Sequence, residues 1–289
     1  MELETGVPLA RLTTIGTGGP AAAFARPTSL AELEEAIAWA GARGLAVRTV
    51  GLGSNLLAAD DGVDALVLRL AGDLADVSVE GTLLRAGGGA TNAVCLHRAR
   101  DAGLGGLEFA CAIPGTAGGG VRMNAGAYGS DWSAILVRAL VVSADGSGWL
   151  TPAELGLEYR LSNVGPGQVV AAVEYRLAPR PTDAIKAEVA ELVARRKATQ
   201  PTNKRTFGSV FKNPPGELGA GRMLELCGMK EYRAGGAIVS PRHANFVENA
   251  GGATSEDCLA LMREARRRAR EQFGVELEHE VVFLGPLTL

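Results

Sequence analysis

The sequence predicts an α+β protein of two or three domains, and three observations support this. Strand patterns and helix patterns mix along the chain without the regular strand–helix alternation of a doubly wound sheet. The length of 289 residues is enough for more than one domain. Pro179 and Pro181 end a strand pattern just before a helix pattern, and we place the main domain boundary there.

Before this boundary, apolar periodicity and turn residues define the elements. Ser29 and Glu32 have the spacing of a capping box and predict a helix over 29–43. Asp145-Gly146 predicts a turn between strands. The other predicted elements are strands at 46–50, 64–70, 138–143 and 168–177, a hairpin at 77–86 around Gly81, and a helix capped by Thr91 that runs to Ala102.

After the boundary, the pattern is mainly helical. Thr182 is predicted to cap an amphipathic helix with Ile185, Val189, Leu192 and Val193 on one face. A short helix is predicted at 219–227, and Ser255 is predicted to cap the last helix. Residues 275–284 alternate apolar and acidic side chains, which predicts a final strand.

Composition excludes several classes of protein. The formal net charge of −3 does not indicate a nucleic-acid-binding protein. Cys95, Cys111, Cys227 and Cys258 form no CxxC pair, so we expect free thiols rather than disulfides or a metal site. No apolar run is long enough to span a membrane, and no signal peptide is visible. We therefore expect a cytoplasmic protein without a membrane or nucleic-acid partner.

Two glycine-rich stretches are candidates for binding an anionic ligand. Residues 51–55 follow a strand and read GLGSN, which is typical of a phosphate loop or of a simple strand turn. Residues 113–129 read IPGTAGGGVRMNAGAYG, with six glycines among seventeen residues. This stretch is either a flexible surface loop or a wall packed against a ligand. Two such loops are what an extended dinucleotide requires.

The sequence resembles the UDP-N-acetylenolpyruvoylglucosamine reductases, flavoenzymes of peptidoglycan synthesis. The matching segments span nearly the whole chain in family order. They are 13–19 (TTIGTGG), 51–57 (GLGSNLL), 113–129, 158–162 (EYRLS), 208–214 (GSVFKNP), 243–246 (HANF) and 277–280 (LEHE).

This resemblance implies a fold and a reaction. It implies a two-subdomain FAD-binding domain of the vanillyl-alcohol-oxidase type, followed by a C-terminal α+β substrate-binding domain. We place the parts at 1–76, 77–180 and 181–289. It also implies that NADPH reduces FAD, and that the flavin N5 then passes a hydride to UDP-N-acetylglucosamine enolpyruvate. The short chain between 214 and 236 is similar to the subtype that lacks a tyrosine-bearing loop.

The resemblance also implies three catalytic residues. Arg160 is expected to face the developing negative charge, because a guanidinium keeps its charge and can hold a carboxylate bidentately. Ser209 is expected to donate the proton, with Lys212 close in sequence as a flanking cation. Glu280 is expected to orient groups near the intermediate, although Glu278 lies two residues earlier on the same predicted strand face.

The remaining site predictions concern ligand contacts. His243 is either a structural residue or a ligand contact, and Arg122 either reaches a phosphate or points to solvent. The substrate candidates are Tyr128, Lys197, Asn213 and Asn245. The flavin candidates are Gly51, Gly53, Ser54, Asn55, Leu56, Ile113, Pro114, Gly115, Thr116, Gly118, Asn124, Ala125 and Gly126.

Two other functions were weighed against the reductase. A flavoprotein oxidase of the same fold is the nearer one, but no His or Cys for covalent flavin attachment lies in 51–57 or 113–129. A flavin-binding protein without catalysis would tolerate the loss of Arg160, Ser209 or Glu280, and this chain has all three.

Overall fold

The computed structural model describes residues 1–289, and the chain divides into two compact units. Unit 1 comprises Met1–Glu4, Ala23–Leu52 and Ala65–Arg195; unit 2 comprises Thr5–Ala22, Gly53–Asp64 and Arg196–Leu289. Helix and strand contribute similar shares, 30% and 29%, which agrees with the predicted α+β class. The three-part division at 1–76, 77–180 and 181–289 stays a prediction.

Short strands and few long helices make up both units. The helices are α1 (Leu30–Gly41), α2 (Asn92–Asp101), α3 (Ala117–Arg122), α4 (Thr182–Thr199), α5 (Ala220–Leu226) and α6 (Ser255–Phe273). The strands are β1 (Leu3–Glu4), β2 (Val7–Pro8), β3 (Pro20–Ala25), β4 (Ala46–Thr49), β5 (Leu56–Ala58), β6 (Val63–Leu68), β7 (Val77–Glu80), β8 (Leu83–Gly87), β9 (Leu104–Gly105), β10 (Gly126–Ala127), β11 (Ser130–Asp131), β12 (Leu136–Ser143), β13 (Gly146–Leu150), β14 (Val169–Arg176), β15 (Ala178–Pro179), β16 (Thr206–Ser209), β17 (Arg233–Ala234), β18 (Ala237–Val239), β19 (Phe246–Asn249) and β20 (Val282–Leu284).

Unit 1 contains two larger sheets, each with its own apolar core, and two short strand pairs, β10–β11 and β9–β15. An antiparallel sheet of order β13-β12-β14-β8-β7 packs its buried face on α2 and α3, around Trp132 and Tyr175. The second sheet has the order β1-β3-β6-β4, in which β4 and β6 are parallel. Its core includes Leu33, Ile37 and Leu66. Small residues such as Ala36 and Ala40 let α1 approach this core closely.

Unit 2 is built on an antiparallel sheet of order β16-β19-β18-β17. Its core contains Phe207 and Phe211 together with Leu259 and Met262 of α6. A separate parallel pair joins β20 to β5. No helix in the structure combines the length and apolarity that crossing a bilayer would need.

Most sequence-predicted elements are confirmed with boundaries that differ by no more than two residues. Thr91 caps α2 by accepting a hydrogen bond from the Val94 N–H at 3.3 Å. The capping box of α1 is displaced by one residue. Ser29 accepts from the Glu32 N–H, but the Glu32 carboxylate accepts from Thr28, at 2.7 Å from its backbone nitrogen.

The predicted cap of the last helix is wrong by one residue. Thr254, not Ser255, is the N-cap, and it forms a reciprocal capping box with Asp257. Ser255 is the first helical residue, and its buried hydroxyl donates to the Ala58 carbonyl at 2.6 Å. Ser255 therefore binds a residue far away in the chain instead of capping the helix. The local helix pattern carries no information about that partner.

Two further predictions are met only in part. On α4, Ile185 is buried and Val189, Leu192 and Val193 are half-buried, so the predicted apolar face is present but only partly covered. The strand predicted at 275–284 is reduced to β20, Val282–Leu284. The preceding residues form only an isolated bridge, between His279 and Phe211. Two backbone hydrogen bonds, from Lys212 to Glu278 and from Glu280 to Val210, are too few to make a strand.

Candidate functional site

The glycine-rich stretch 113–129 contains a short helix rather than a flexible loop. Thr116 caps α3 by accepting from the Gly119 N–H. A Cβ on Gly118 would lie 2.8 Å from the Val170 carbonyl oxygen, and one on Gly120 would lie 2.8 Å from the Trp132 ring. These two glycines therefore let α3 pack closely on protein. The sequence predicts either a flexible loop or a wall packed against a ligand.

Residues 113–116 are held in place by the chain just before and within α2. The Asn92 backbone N–H donates to the Gly115 carbonyl at 3.0 Å, and the Asn92 Nδ2 donates to the Ile113 carbonyl at 3.1 Å. A Cβ on Gly51 would lie 2.7 Å from Thr116 Oγ1. Gly51 and the 113–116 segment, predicted separately from the sequence, thus meet in unit 1. The sequence-based analysis missed Asn92, whose only signal was its position after the cap Thr91.

Asn124 connects the end of the glycine-rich stretch to the turn that carries Arg160. This side chain is buried, accepts from the Ser133 N–H at 3.0 Å, and donates to the Glu158 carbonyl at 2.9 Å. The predicted flavin residues Ala125 and Gly126 follow it directly. The Asn124 amide is thus engaged with protein backbone, and the Asn124 and Ala125 N–H groups donate to the Val121 and Gly120 carbonyls.

Arg160 lies at the tip of a tight turn. Glu158 and Leu161 form an isolated antiparallel bridge across it, and Arg160 has a left-handed backbone with φ of 56°. The Arg160 guanidinium donates to the Gly126 carbonyl and stacks 4.8 Å from the centre of the Tyr159 ring. Unit 1 therefore brings the predicted catalytic arginine to the 124–126 segment.

Tyr128 occupies the turn between β10 and β11. It has a positive φ of 55°, followed by Gly129 at 83°, as a type I′ hairpin turn requires. Its hydroxyl donates to the Leu192 carbonyl of α4 at 3.0 Å, and Arg195 lies 5.1 Å from its ring centre. The left-handed turn thus directs this predicted substrate residue toward α4.

The donors and cations of unit 1 fit a diphosphate-containing cofactor. Arg122 is half-buried, and burial, followed by the charge of Arg48, lowers the pKa of its guanidinium. Two neighbouring cations are stabilised by a bound anion. The amide oxygen Oδ1 of Asn92 is buried without a hydrogen-bond partner and could accept from a ligand.

Unit 2 carries the other half of the GLGSN segment. Gly53 has φ of 68°, and a Cβ there would lie 1.9 Å from the Leu12 carbonyl oxygen, so only glycine fits. Thr14 donates to the Gly53 carbonyl at 3.0 Å through its backbone N–H. Gly53 thus packs directly on the backbone of Leu12 and Thr13, where the TTIGTGG segment begins. Leu56 begins β5 and pairs with Val282.

Glu280 is joined to the segment that follows Ser209 by a backbone hydrogen bond within unit 2. The Glu280 N–H donates to the carbonyl of Val210, the residue after Ser209, at 2.8 Å. The Asn55 Nδ2 donates to the Glu280 carbonyl at 3.1 Å. Glu278 instead pairs with Lys212, with 3.2 Å between Nζ and Oε2. Lys212 therefore forms an ion pair with Glu278. Glu280 stays the predicted catalytic glutamate.

The other predicted substrate residues have different surroundings. Asn213 is exposed, and its Oδ1 accepts from the Ala220 N–H at the start of α5. Lys197 is exposed near the end of α4, and its carbonyl accepts from Arg242. Asn245 is buried, with both ends of its amide on the backbone of Phe211.

His243 has the environment of a structural residue. Its Nδ1 accepts from the Asn245 N–H, and its ring packs edge-on against Phe246 with centres 4.9 Å apart. Burial, with the charge of Lys230 second, lowers the pKa of the imidazole and favours its neutral form. A neutral ring with Nδ1 as acceptor carries its proton on Nε2.

Comparison with known proteins covers almost the whole chain. Residues 21–149 match the FAD binding domain family, and residues 200–284 match the C-terminal domain of UDP-N-acetylenolpyruvoylglucosamine reductase. The chain is 44% identical over 280 residues to UDP-N-acetylenolpyruvoylglucosamine reductase 2 of Symbiobacterium thermophilum, covering 96% of this chain and 91% of that protein. It is 42% identical over 288 residues to the reductase of Myxococcus xanthus, covering 98% and 93%.

A solved structure agrees with these relatives. The crystal structure of UDP-N-acetylenolpyruvylglucosamine reductase from Thermus caldophilus has a TM-score of 0.86 and 36% identity, and the match covers 98% of this chain and 99% of that chain. The predicted fold class, an FAD-binding domain followed by a C-terminal α+β domain, is therefore confirmed. The chain belongs to the UDP-N-acetylenolpyruvoylglucosamine reductase family.

Proposed function

We propose that this protein reduces UDP-N-acetylglucosamine enolpyruvate to UDP-N-acetylmuramate with NADPH, as a cytoplasmic step of peptidoglycan synthesis. One observation carries the proposal beyond family membership. The arginine, serine and glutamate that the reaction needs are all present; Arg160 donates a long-range hydrogen bond to the Gly126 carbonyl, and the Glu280 N–H donates one to the residue after Ser209.

FAD is the cofactor of the proposed reaction. The residues proposed to contact it are Gly51, Gly53–Leu56, Ile113–Thr116, Gly118 and Asn124–Gly126, and Arg48 and Arg122 would offset its phosphate charge. When bound, FAD would supply two-electron hydride chemistry between NADPH and the enolpyruvyl methylene carbon.

Arg160 is proposed to bind the negative charge that develops on the substrate. Hydride addition to an enol ether that bears a carboxylate generates a dianionic, enolate-like species. A guanidinium that is held in place before the reaction stabilises this charge without reorganising. The left-handed turn and the hydrogen bond to Gly126 supply that positioning.

Ser209 and Glu280 are proposed to complete the proton transfer. The Ser209 hydroxyl donates its proton to the carbon next to the one that receives the hydride. Glu280, whose backbone is held by Val210 and Asn55, orients the reacting groups. Tyr128, Lys197 and Asn213 are proposed to contact the sugar nucleotide, whereas the buried amide of Asn245 is engaged by the backbone of Phe211.

The cofactor and the reaction can be tested on the purified protein. We expect a yellow sample with a flavin absorbance spectrum, and NADPH oxidation that depends on added UDP-N-acetylglucosamine enolpyruvate. A colourless protein that takes up no FAD would overturn the proposal. So would NADPH oxidation that ignores the enolpyruvyl substrate.

The assignment of Ser209 needs the two half-reactions to be measured separately. In Ser209→Ala, NADPH is expected to bleach the flavin at the parent rate, while reoxidation by the enolpyruvyl substrate falls by a factor of about 10² to 10⁴. Ser143→Ala, which removes an exposed hydroxyl at the β12–β13 turn, is the control and should change neither rate. Equal loss of both half-reactions in Ser209→Ala would assign this serine a folding role.

A further inference from the structure

The carboxamide of Asn245 makes a two-point contact with a single residue close to Ser209. The Phe211 N–H donates to Asn245 Oδ1 at 3.0 Å, and Asn245 Nδ2 donates to the Phe211 carbonyl at 2.8 Å. The Val210 N–H donates to the Asn245 backbone carbonyl at 2.9 Å. Asn245 therefore binds both residues that follow Ser209, and its side chain is only 3% exposed.

The backbone around Ser209 lies at the end of an irregular ladder. Ser209 is the last residue of β16 and pairs with Phe246 of β19, and the register shifts between Thr206 and Ser209. Gly208 has a left-handed φ of 81°. Beyond Ser209, backbone hydrogen bonds join this segment to 278–280, from Lys212 to the Glu278 carbonyl and from Glu280 to the Val210 carbonyl. Asn245 thus holds residues 210–211 just past the point where the β16–β19 ladder ends.

We infer that Asn245 is a positioning residue for proton donation: its amide fixes the backbone of 210–211 and thereby sets the place of the Ser209 hydroxyl. This inference rests on the proposed function, because it acts through the proposed role of Ser209. It also changes the expected role of Asn245, from direct substrate contact to action through Ser209. Misplacement of a reacting group by about 1 Å can slow a step about 100-fold.

Asn249, the last residue of the strand that begins directly after Asn245, provides a control. Its Nδ2 donates to the Ile15 carbonyl at 3.0 Å, and its Oδ1 accepts from the Gly251 and Ala253 N–H groups. It therefore makes three side-chain hydrogen bonds to backbone where Asn245 makes two, and none of them reaches residues 207–213. Asn245→Leu and Asn249→Leu remove the same chemistry, and only the first removes it beside Ser209.

The first experiment measures both half-reactions and the melting temperature of the flavin-loaded variants. Asn245→Leu is expected to keep the parent rate of flavin bleaching by NADPH and to lose about 10- to 100-fold in reoxidation by the enolpyruvyl substrate. Its solvent deuterium isotope effect on reoxidation should rise, because proton transfer becomes slower. Asn249→Leu should lower the melting temperature without separating the two rates. If Asn245→Leu does not fold, Asn245→Asp, which keeps the size and one acceptor, replaces it.

The second experiment combines substitutions. If Asn245 acts through Ser209, adding Asn245→Leu to Ser209→Ala should slow reoxidation by less than about twofold further, because the group it positions is already gone. An additional loss as large as in the single variant would overturn the inference and indicate a structural or direct substrate role. Failure of the proposed function is seen separately: Ser209→Ala would then leave reoxidation unchanged.

Discussion

Backbone conformation marks single residues of the candidate site. Asn124, Tyr128, Arg160 and Glu231 are the non-glycine residues with positive φ in this structure. The first three belong to the 113–129 stretch or to the turn that contacts it. Such conformations are unfavourable for side chains with a Cβ and persist only where the surroundings enforce them. Their clustering supports the proposal that this part of unit 1 holds reacting groups in place.

The geometry of Arg160 leads to a prediction about a conservative change. Arg160→Lys keeps the charge but loses the planar donor fork that reaches the Gly126 carbonyl, so kcat is expected to fall by about 100-fold or more. The bound flavin and its bleaching by NADPH should remain. Arg176→Lys, an exposed position on β14, serves as the control in steady-state kinetics. A variant Arg160→Lys with parent kcat would remove this residue from the catalytic set.

At the scale of elements, α3 shows how glycines serve packing. Gly118 and Gly120 are buried against strand β14 and Trp132. Gly119 is exposed, and a Cβ added there would lie at an ordinary contact distance of 3.5 Å from Thr116 Oγ1. The three consecutive glycines therefore have different requirements. Only those that face the core are needed for close approach.

Alanine substitutions at neighbouring glycines test this account. Gly120→Ala is expected to destabilise the protein by about 1–3 kcal/mol, because its methyl group would overlap the Trp132 ring. Gly119→Ala is expected to be neutral or stabilising by up to about 1 kcal/mol, because alanine favours the helix. Urea unfolding of the two variants distinguishes them. Equal effects would contradict the packing shown for α3.

Helix α6 carries an ion-pair cluster with a predictable pH dependence. Hydrogen bonds from Arg267, and then from Arg268, lower the pKa of Glu264 from 4.5 to about 2. Because the folded-state pKa lies below the unfolded value, the associated stability is present above about pH 4.5 and is lost as the pH falls toward 2.

A charge-removing substitution should therefore show its effect mainly at neutral pH. The difference in unfolding free energy between the parent and Glu264→Gln is expected to be largest at pH 7 and to shrink from pH 4.5 downwards. Glu271→Gln, an exposed partner of Arg267, should change stability by less than about 0.5 kcal/mol throughout. Urea titrations at several pH values measure both. A Glu264→Gln effect that is constant with pH would contradict the expectation.

On the scale of the whole molecule, the thiols report on the cores of the two units. Burial raises the pKa of Cys95 in unit 1 to about 12 and has the same effect on Cys258 in unit 2. Burial also raises the pKa of Cys227. Only Cys111 is half-buried. The sequence-based expectation of free thiols is confirmed, and most of them are shielded.

Thiol titration tests the integrity of both cores at once. At pH 8 the native protein is expected to react rapidly with a thiol reagent at no more than one cysteine, and Cys111→Ser should abolish this reaction. In concentrated urea all four cysteines should react. Two or more fast thiols in the native state would contradict the burial of Cys95, Cys227 and Cys258.

By itself, the sequence determined the family, the α+β class and most helices and strands, because these depend on ordered motifs and on local periodicity. It identified Gly51, 113–126, Arg160, Ser209 and Glu280 as site candidates, and their roles stay predictions. Tertiary structure decided that Thr254 caps α6, that 275–281 is not a strand, and that Asn245 holds Phe211. These outcomes depend on partners far apart in the chain, as when Asn55 binds the carbonyl of Glu280, 225 residues away. Local patterns carry no information about such partners, because a hydrogen bond forms with whatever group the fold brings within about 3 Å.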